Sequence, residues 1–318
     1  MKGRCIYAIG ETVFDIVFKN GKPVSATAGG SMLNSTVSLG RAGLPVALIS
    51  EIGQDRVGTE IIGFLKQNRV GVKHIYRFAD HSTALALAFL DENEDASYEF
   101  YKDYPAKRLN IEFPGTTSRD YILFGSFFAL TKAVRNGLKQ FLSSARESGS
   151  TILYDPNIRN PHAHELPGLQ NFLYENISFS DIIRGSSDDF RLIFGTTVPK
   201  DVFKKVNELG CRFLIITNAG NPVTMISDKF ELYIPVININ PVSTIGAGDS
   251  FNAGILYGLY KMNIGRSDLS SLKQQDWSML IDIGITFGSS VCESWENYIS
   301  ASLAEKIKKS LYGKTPNA

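Results

Sequence analysis

Asp249 follows Gly246, Ala247 and Gly248 in the stretch NPVSTIGAGDSFNAGI, residues 240–255, and apolar helical periodicity begins at once after it. The first turn of a helix has N–H groups without intrahelical partners and a partial positive charge, so it stabilises an anion. Glycine at 246 and 248 lets a phosphate approach that backbone. A carboxylate in the same place repels the phosphate and needs its own account. Either Asp249 is an N-cap over a tight glycine turn, or it accepts a proton from a hydroxyl that attacks the phosphate. The stretch alone leaves both open.

Two other phosphate motifs fail on spacing. Gly313-Lys314-Thr315 imitates the end of a P-loop, but Lys308 stands where its first glycine belongs and only three residues follow. GAGDSF resembles half of a dinucleotide fingerprint, and Asp268 lies where the ribose acid would. Phe251, however, occupies a position that needs Gly or Ala for close helix–strand packing.

These residues must be positioned by a scaffold, and 318 residues with 43% apolar content can bury a substantial core. Apolar, β-branched runs at Cys5–Ile9, Val46–Ile52, Tyr121–Phe124, Thr151–Tyr154, Asp181–Ile183 and Phe213–Thr217 read as strands buried on both faces. Helical spacing separates them at Ser31–Arg41, Gly58–Asn68, Lys132–Glu147, Asp201–Leu209, Phe251–Met262 and Trp277–Cys292. The alternation predicts an α/β domain with a mostly parallel central sheet covered by helices. Two stretches break the pattern: Thr12–Ala28, with a turn at Gly21, and roughly Tyr76–Tyr104, with an acidic turn at 91–95. With no internal repeat or linker, they read as excursions at about 12–28 and 76–105 from one domain spanning 1–318. Together they would form a small sheet standing apart from the main one. Tyr98 and Phe100 alternate onto one face, and the facing strand carries Leu85, Leu87 and Phe89, so such a sheet exposes aromatic area that a second copy of the chain could cover.

Charge narrows the partners. Lys and Arg number 33 against 32 Asp and Glu, so no global field draws the chain to nucleic acid or an anionic membrane. No segment is long and apolar enough to span a bilayer, and no small-residue cleavage site follows the first apolar stretch. The three cysteines, Cys5, Cys211 and Cys292, are widely spaced among apolar neighbours, which fits a reducing cytoplasm.

Taken with AGGSMLNSTVSLGRAG at 28–43, STIGAGDSFNAG resembles the signatures of the ribokinase, or PfkB, carbohydrate kinases. These are usually Gly-Gly-x-x-x-Asn near the N-terminus and Asp-Thr-x-Gly-Ala-Gly-Asp near the C-terminus. GETVFD at 10–15, GQDRVG at 53–58, FGS at 124–126 and DPNIR at 155–159 fall at the family's landmarks. The resemblance covers nearly the whole chain. It implies a ribokinase-like three-layer αβα fold with a β-sheet lid, and an ATP- and Mg²⁺-dependent sugar kinase acting on a small carbohydrate. DPNIR is closest to the form in fructokinases and 2-keto-3-deoxygluconate kinases, which points to fructose or a related ketose or keto-sugar acid. An adenosine-like nucleoside is the alternative substrate. A sugar-binding protein that has lost catalysis on the same scaffold is the alternative function.

The resemblance also implies roles. Asp249 matches the catalytic base, and Gly246, Ala247 and Gly248 the anion hole. Asp15 matches the acid that holds sugar hydroxyls, with Gly29 and Gly30 as hinge and sugar-approach glycines and Asn34 as a sugar contact. Arg159 would neutralise phosphate charge. The family's Asn-x-x-Glu, which organises Mg²⁺ and its waters, appears as Ser186-x-x-Asp189. Its Thr-x-Gly-x-x-Gly nucleotide loop appears as Thr217-Asn218-Ala219-Gly220-Asn221-Pro222, two glycines short. Ser243 stands where many relatives have the Asp that helps hold a monovalent cation, which argues against strong potassium activation. His162 and His164 form a His-x-His pair with no third ligand and read as a loop.

Overall fold

The computed structural model describes residues 3–90, 96–158 and 164–312. Its strands, in chain order, are β1 (Ile6–Ile9), β2 (Val13–Lys19), β3 (Lys22–Gly29), β4 (Val46–Gly53), β5 (Val70–Gly71), β6 (Ile75–Phe78), β7 (Leu85–Leu90), β8 (Ala96–Tyr101), β9 (Tyr121–Gly125), β10 (Thr151–Asp155), β11 (Ile182–Ser186), β12 (Phe213–Asn218), β13 (Asn221–Ser227) and β14 (Glu231–Ile234). The helices are α1 (Ser31–Arg41), α2 (Arg56–Gln67), α3 (Arg135–Glu147), α4 (Leu166–Phe179), α5 (Ser187–Phe194), α6 (Pro199–Glu208), α7 (Ala247–Lys261), α8 (Gln274–Cys292) and α9 (Ala301–Tyr312).

The apolar runs of β1, β4, β9 and β10 are buried at every position. That requires cover on both faces, and parallel pairing joined by helical crossovers supplies it. The large sheet runs β14-β13-β12-β11-β10-β9-β1-β4-β5, with β6 also pairing β4. It is parallel from β12 to β6, and β13 and β14 extend one edge antiparallel. Alternate residues of β1 feed opposite layers: Ile6 and Ala8 pack with Leu256, Trp277 and Ile281 of α7 and α8, whereas Tyr7 and Ile9 pack with Leu138 and Phe141 of α3 and Val202 of α6. The three expected layers are present. Helix α7 begins four residues before the apolar periodicity suggested, because Ala247, Gly248 and Asp249 already have helical backbone.

The second sheet is four-stranded, in the order β3-β2-β7-β8, and shares no strand with the first. β2 and β7 are parallel neighbours, with antiparallel partners outside them. It is built from the two excursions, with one correction. Tyr76 does not open the second excursion: β6 pairs with Ser50–Gly53 of β4, because β5 covers only Val46 and Ala47 and leaves the rest of that edge free. The aromatic face is also divided. Phe100 lies opposite Ala86, which lies opposite Asp15, so these share the inner face. Phe89 lies opposite Phe18, with which it stacks at 5.1 Å, on the outer one.

Candidate active site

Open α/β sheets take ligands outside the carboxyl ends of their parallel strands. At that edge Asp155 ends β10, Arg184 lies in β11 and Thr217 in β12, and the N-terminus of α7 faces them. Gly246 is the N-cap of α7 with φ +81°, a conformation that L side chains avoid, and no side chain caps the helix. Asp249 is therefore the third helical residue and not the N-cap, so the N-cap role fails on position.

Helix α1 holds Asp249 in place. Asn34 Nδ2 donates to Asp249 Oδ2 at 2.8 Å, and Ser35 Oγ donates to the Asp249 carbonyl at 2.8 Å. Ser38 and Ser250 pair their hydroxyls at 3.0 Å one turn on. The small residues of SMLNSTVSLG thus form a polar seam, so the two signatures 200 residues apart meet as adjacent helices. Asp249 is buried, and its carboxylate accepts the Asn34 amide while its main-chain carbonyl accepts Ser35.

Beside this seam lies a cavity lined by Asp15, Gly30, Asn34, Phe100, Lys102 and Asn157, under the inner face of the small sheet. Gly30 sits at φ +123°, and a Cβ there would run into the Glu11 carbonyl. A Cβ on Gly29 would overlap the Asp15 carboxylate and push it aside, so Gly30 permits the turn from β3 into α1 and Gly29 leaves Asp15 its place. Glu11, a further wall residue, accepts from Lys102 Nζ and Tyr104 Oη, each at 2.8 Å. Burial pushes the Tyr104 hydroxyl pKa upward, so it remains a donor. The Arg108 guanidinium stacks on the Tyr104 ring and pairs with buried Glu51 of β4, which ties the return from β8 to the large sheet.

On the phosphate side, Asp155 Oδ2 accepts from Asn252 Nδ2 at 2.6 Å and from Arg184 Nη1 at 3.3 Å, while its Oδ1 is buried without a hydrogen-bond partner among the described residues. Burial raises its pKa to about 7; Arg184 opposes the shift, and the Asp189 and Asp249 carboxylates add to it. Arg184 Nη2 donates to Thr217 Oγ1 at 2.6 Å.

Asp189 is placed differently from its expected metal role. Its Oδ1 accepts from the Ile158 amide and its Oδ2 from the Ser186 amide and hydroxyl, all at 2.6 Å, and Ser186 Oγ accepts from the Asp189 amide. Ser186-x-x-Asp189 is thus a capping box that starts α5. Gly220 stands at the exposed tip of the two-residue hairpin between β12 and β13, with Ala219 at φ +46°, and is not drawn into the cluster. Arg159 and His162 lie outside the described residues. The site residues that motif reasoning passed over are Arg184, Asn252, Glu11 and Lys102. The signal for Arg184 is a charge inside the apolar run DIIRGSS, and for Asn252 a buried amide three residues after Asp249.

Among the described residues no three His, Cys, Asp or Glu side chains form a metal cage. Mg²⁺ on a nucleotide needs only one or two carboxylates, with phosphates and water supplying the rest. The orphaned Asp155 Oδ1 fits that demand, and the α7 amides with Arg184 fit phosphate oxygens.

An uncapped helix N-terminus, a buried carboxylate fixed in its first turn and a polar cavity beside them meet at one edge of a three-layer αβα scaffold. The pfkB family carbohydrate kinase pattern matches residues 4–298, so the chain belongs to that family and is a carbohydrate kinase, a phosphotransferase with an alcohol group as acceptor. It is 27% identical to probable fructokinase-7 of Arabidopsis thaliana over 258 residues, covering 78% of this chain and 72% of that one. It is 23% identical to aminoimidazole riboside kinase of Salmonella typhimurium over 261 residues, covering 81% and 82%. Its fold is similar to that of the Salmonella enterica aminoimidazole riboside kinase complexed with aminoimidazole riboside and an ATP analogue, with TM-score 0.82, 20% identity and coverage of 97% and 100%. It is also similar to that of Xylella fastidiosa fructokinase with bound ATP, with TM-score 0.81, 20% identity and coverage of 97% and 99%. Among the described residues no helix is long and apolar enough to cross a membrane.

Proposed function

We propose that the protein transfers the γ-phosphoryl group of ATP to a hydroxyl of fructose or a related ketose or keto-sugar acid. The observation that carries this is the Asn34–Asp249 hydrogen bond, which ties a buried carboxylate in the first turn of α7 to a residue that lines the cavity. Asp15 and Glu11 accept hydroxyl hydrogens of the sugar, and Asn34 contacts it from α1. Asp249 takes the proton of the attacking hydroxyl as that oxygen bonds to the γ-phosphorus. The bond to the bridging oxygen breaks, and its electron pair leaves on ADP. The amides of Ala247 and Gly248 stabilise charge on the transferring group. Asp155, with its unpartnered Oδ1, would hold Mg²⁺ and its waters, and the ion would supply charge neutralisation of the phosphates. Thr217 borders the nucleotide.

Relatives named fructokinases and the DPNIR stretch support a ketose. Lys102, and Arg159 by sequence, suit the carboxylate of a keto-sugar acid. A riboside is the second reading, because Phe100, Phe127 and Phe128 line the cavity and offer faces for a base. The small sheet acts as a lid over the sugar. Potassium adds little, since Ser243 is uncharged and its hydroxyl accepts from the Ile245 amide; the expected outcome is less than about a two-fold gain in rate on replacing a bulky organic cation by potassium. ADP release measured across hexoses, pentoses, keto-sugar acids and ribosides tests the whole reading. Turnover confined to ketoses or keto-sugar acids supports it, turnover confined to ribosides replaces the substrate, and no turnover with any of them overturns it.

A further inference from the structure

Arg184 is an unusual side chain for its place. It lies in a strand whose other side chains are apolar or small, and its side chain is nine-tenths buried. Nothing in the packing of the sheet requires a guanidinium there, and burying one is costly unless it is paired. Its pairing is incomplete. Nη1 reaches Asp155 only at 3.3 Å, Nη2 donates to Thr217 at 2.6 Å, and Nε is buried with no hydrogen-bond partner among the described residues. The fork has five N–H donors, and the two contacts occupy two of them.

The guanidinium also has a fixed place beside α7. A Cβ built on Gly248 would stand 2.7 Å from Nη1 and 3.0 Å from Nη2, so the guanidinium lies against the first turn of α7. Any side chain at 248 would displace it. The glycine therefore does more than expose its own amide: it brings a fixed cation alongside the helix N-terminus. Charge makes this cation necessary. Asp155, Asp189 and Asp249 are all buried around it: Asp155 accepts from Asn252, three residues after Asp249 on α7, and Asp189 accepts from the Ile158 amide, three residues after Asp155, so a nucleotide carrying several negative charges enters a corner already rich in carboxylates. The partial charge of one helix end does not offset that.

We propose that Arg184 is a catalytic residue that binds phosphate oxygens of the nucleotide directly and neutralises charge on them during transfer. This rests on the kinase reading above. As the sugar oxygen bonds to phosphorus and the bond to ADP breaks, negative charge moves onto the leaving β-phosphate. A planar donor fork held by Thr217 and Asp155 meets it without reorganising. Asp155 and Thr217 act on Arg184 as positioning residues.

The test compares ADP and adenosine binding to the full-length protein by calorimetry in EDTA, so that no divalent metal contributes. Wild-type protein should bind ADP tighter than adenosine. Arg184→Gln should lose about ten-fold or more in ADP affinity, the effect of one charge-assisted contact, with adenosine affinity unchanged. With Mg²⁺ and the accepted sugar, its kcat should fall by about 10²–10³-fold at an unchanged sugar KM. If stranding Asp155 prevents folding, Arg184→Gln combined with Asp155→Asn removes both buried charges, and the same loss of ADP affinity with intact adenosine binding is expected. ADP affinity retained in the single or double variant overturns the proposal and leaves Arg184 as a structural counter-ion only. Wild-type protein that binds neither compound overturns the kinase reading, and this inference with it.

Discussion

At Asp249 the same residue type would serve two purposes, and position separates them. An N-cap carboxylate lies outside the helix and accepts from its N2 or N3 amide. Asp249 is inside the helix at its third position, and its carboxylate accepts instead from Asn34 on another helix. Asp249→Asn keeps the shape and a group that can pair with Asn34, but it cannot take a proton. The expected outcome is a fall in kcat of about 10²–10⁴-fold with ATP and sugar affinities within a few-fold of wild type, measured by steady-state kinetics and calorimetry. Near-normal turnover would mean that the proton leaves by another route. Asp189 is the opposite case: its chemistry suits a metal, but hydrogen bonds from Ile158 and Ser186 engage both carboxylate oxygens in the start of α5.

Among the elements, α2 shows how a loop acid serves the architecture around the site. Asp55 is its N-cap: Oδ1 accepts from the Gly58 amide at 2.7 Å and from Thr83 Oγ1 at 2.8 Å, and Oδ2 from the Thr83 amide at 2.6 Å. It thus ties α2 to the segment that leads into β7 of the small sheet. Burial acts to raise its pKa, but the Gly58 and Thr83 hydrogen bonds outweigh it and hold the pKa below the usual value. A depressed folded-state pKa means stability that is present above the unfolded value of 3.8 and is lost as pH falls through the folded one. Asp55→Ala should cost about 1–2 kcal/mol at pH 7. The difference from wild type should shrink below about pH 4 in chemical denaturation, as Asp55 protonates in both states of the wild-type chain. A cost that stays constant down to pH 2 would show that the lost contacts do not depend on its charge.

For the whole molecule, the four-stranded sheet has two faces with different fates. Its inner face carries Asp15, Ala86 and Phe100 toward the cavity. Its outer face carries Ile16, Phe18, Leu87 and Phe89, with Phe89 37% exposed, and Tyr101, opposite Leu85 at the other end of β7, 56% exposed. A half-exposed apolar face of this kind suits a second copy of the chain. The expected outcome is a dimeric mass by light scattering at micromolar concentration, shifted to the monomer by Phe89→Lys; a monomeric wild type removes the idea.

Most of the scaffold was legible in the sequence. Parallel strands buried on both faces leave continuous apolar runs, and helices covering them leave a 3.6-residue period, so the layers followed from patterns a few residues long. The glycine–aspartate start of α7 was legible for a similar reason, because backbone amides, a missing Cβ and a carboxylate need no distant partner to state their chemistry. What only the tertiary structure decided were pairings between distant segments. Asn34 meets Asp249 across 215 positions, Arg184 meets Gly248, and Asp155 meets Asn252 across 97. β6 joins β4 and not the small sheet because β5 is too short to fill the edge, a fact about strand lengths in space. Whether Asp189 meets a metal or closes a helix depended on where the Ile158 amide fell, and no local pattern encodes the position of a donor 31 residues away.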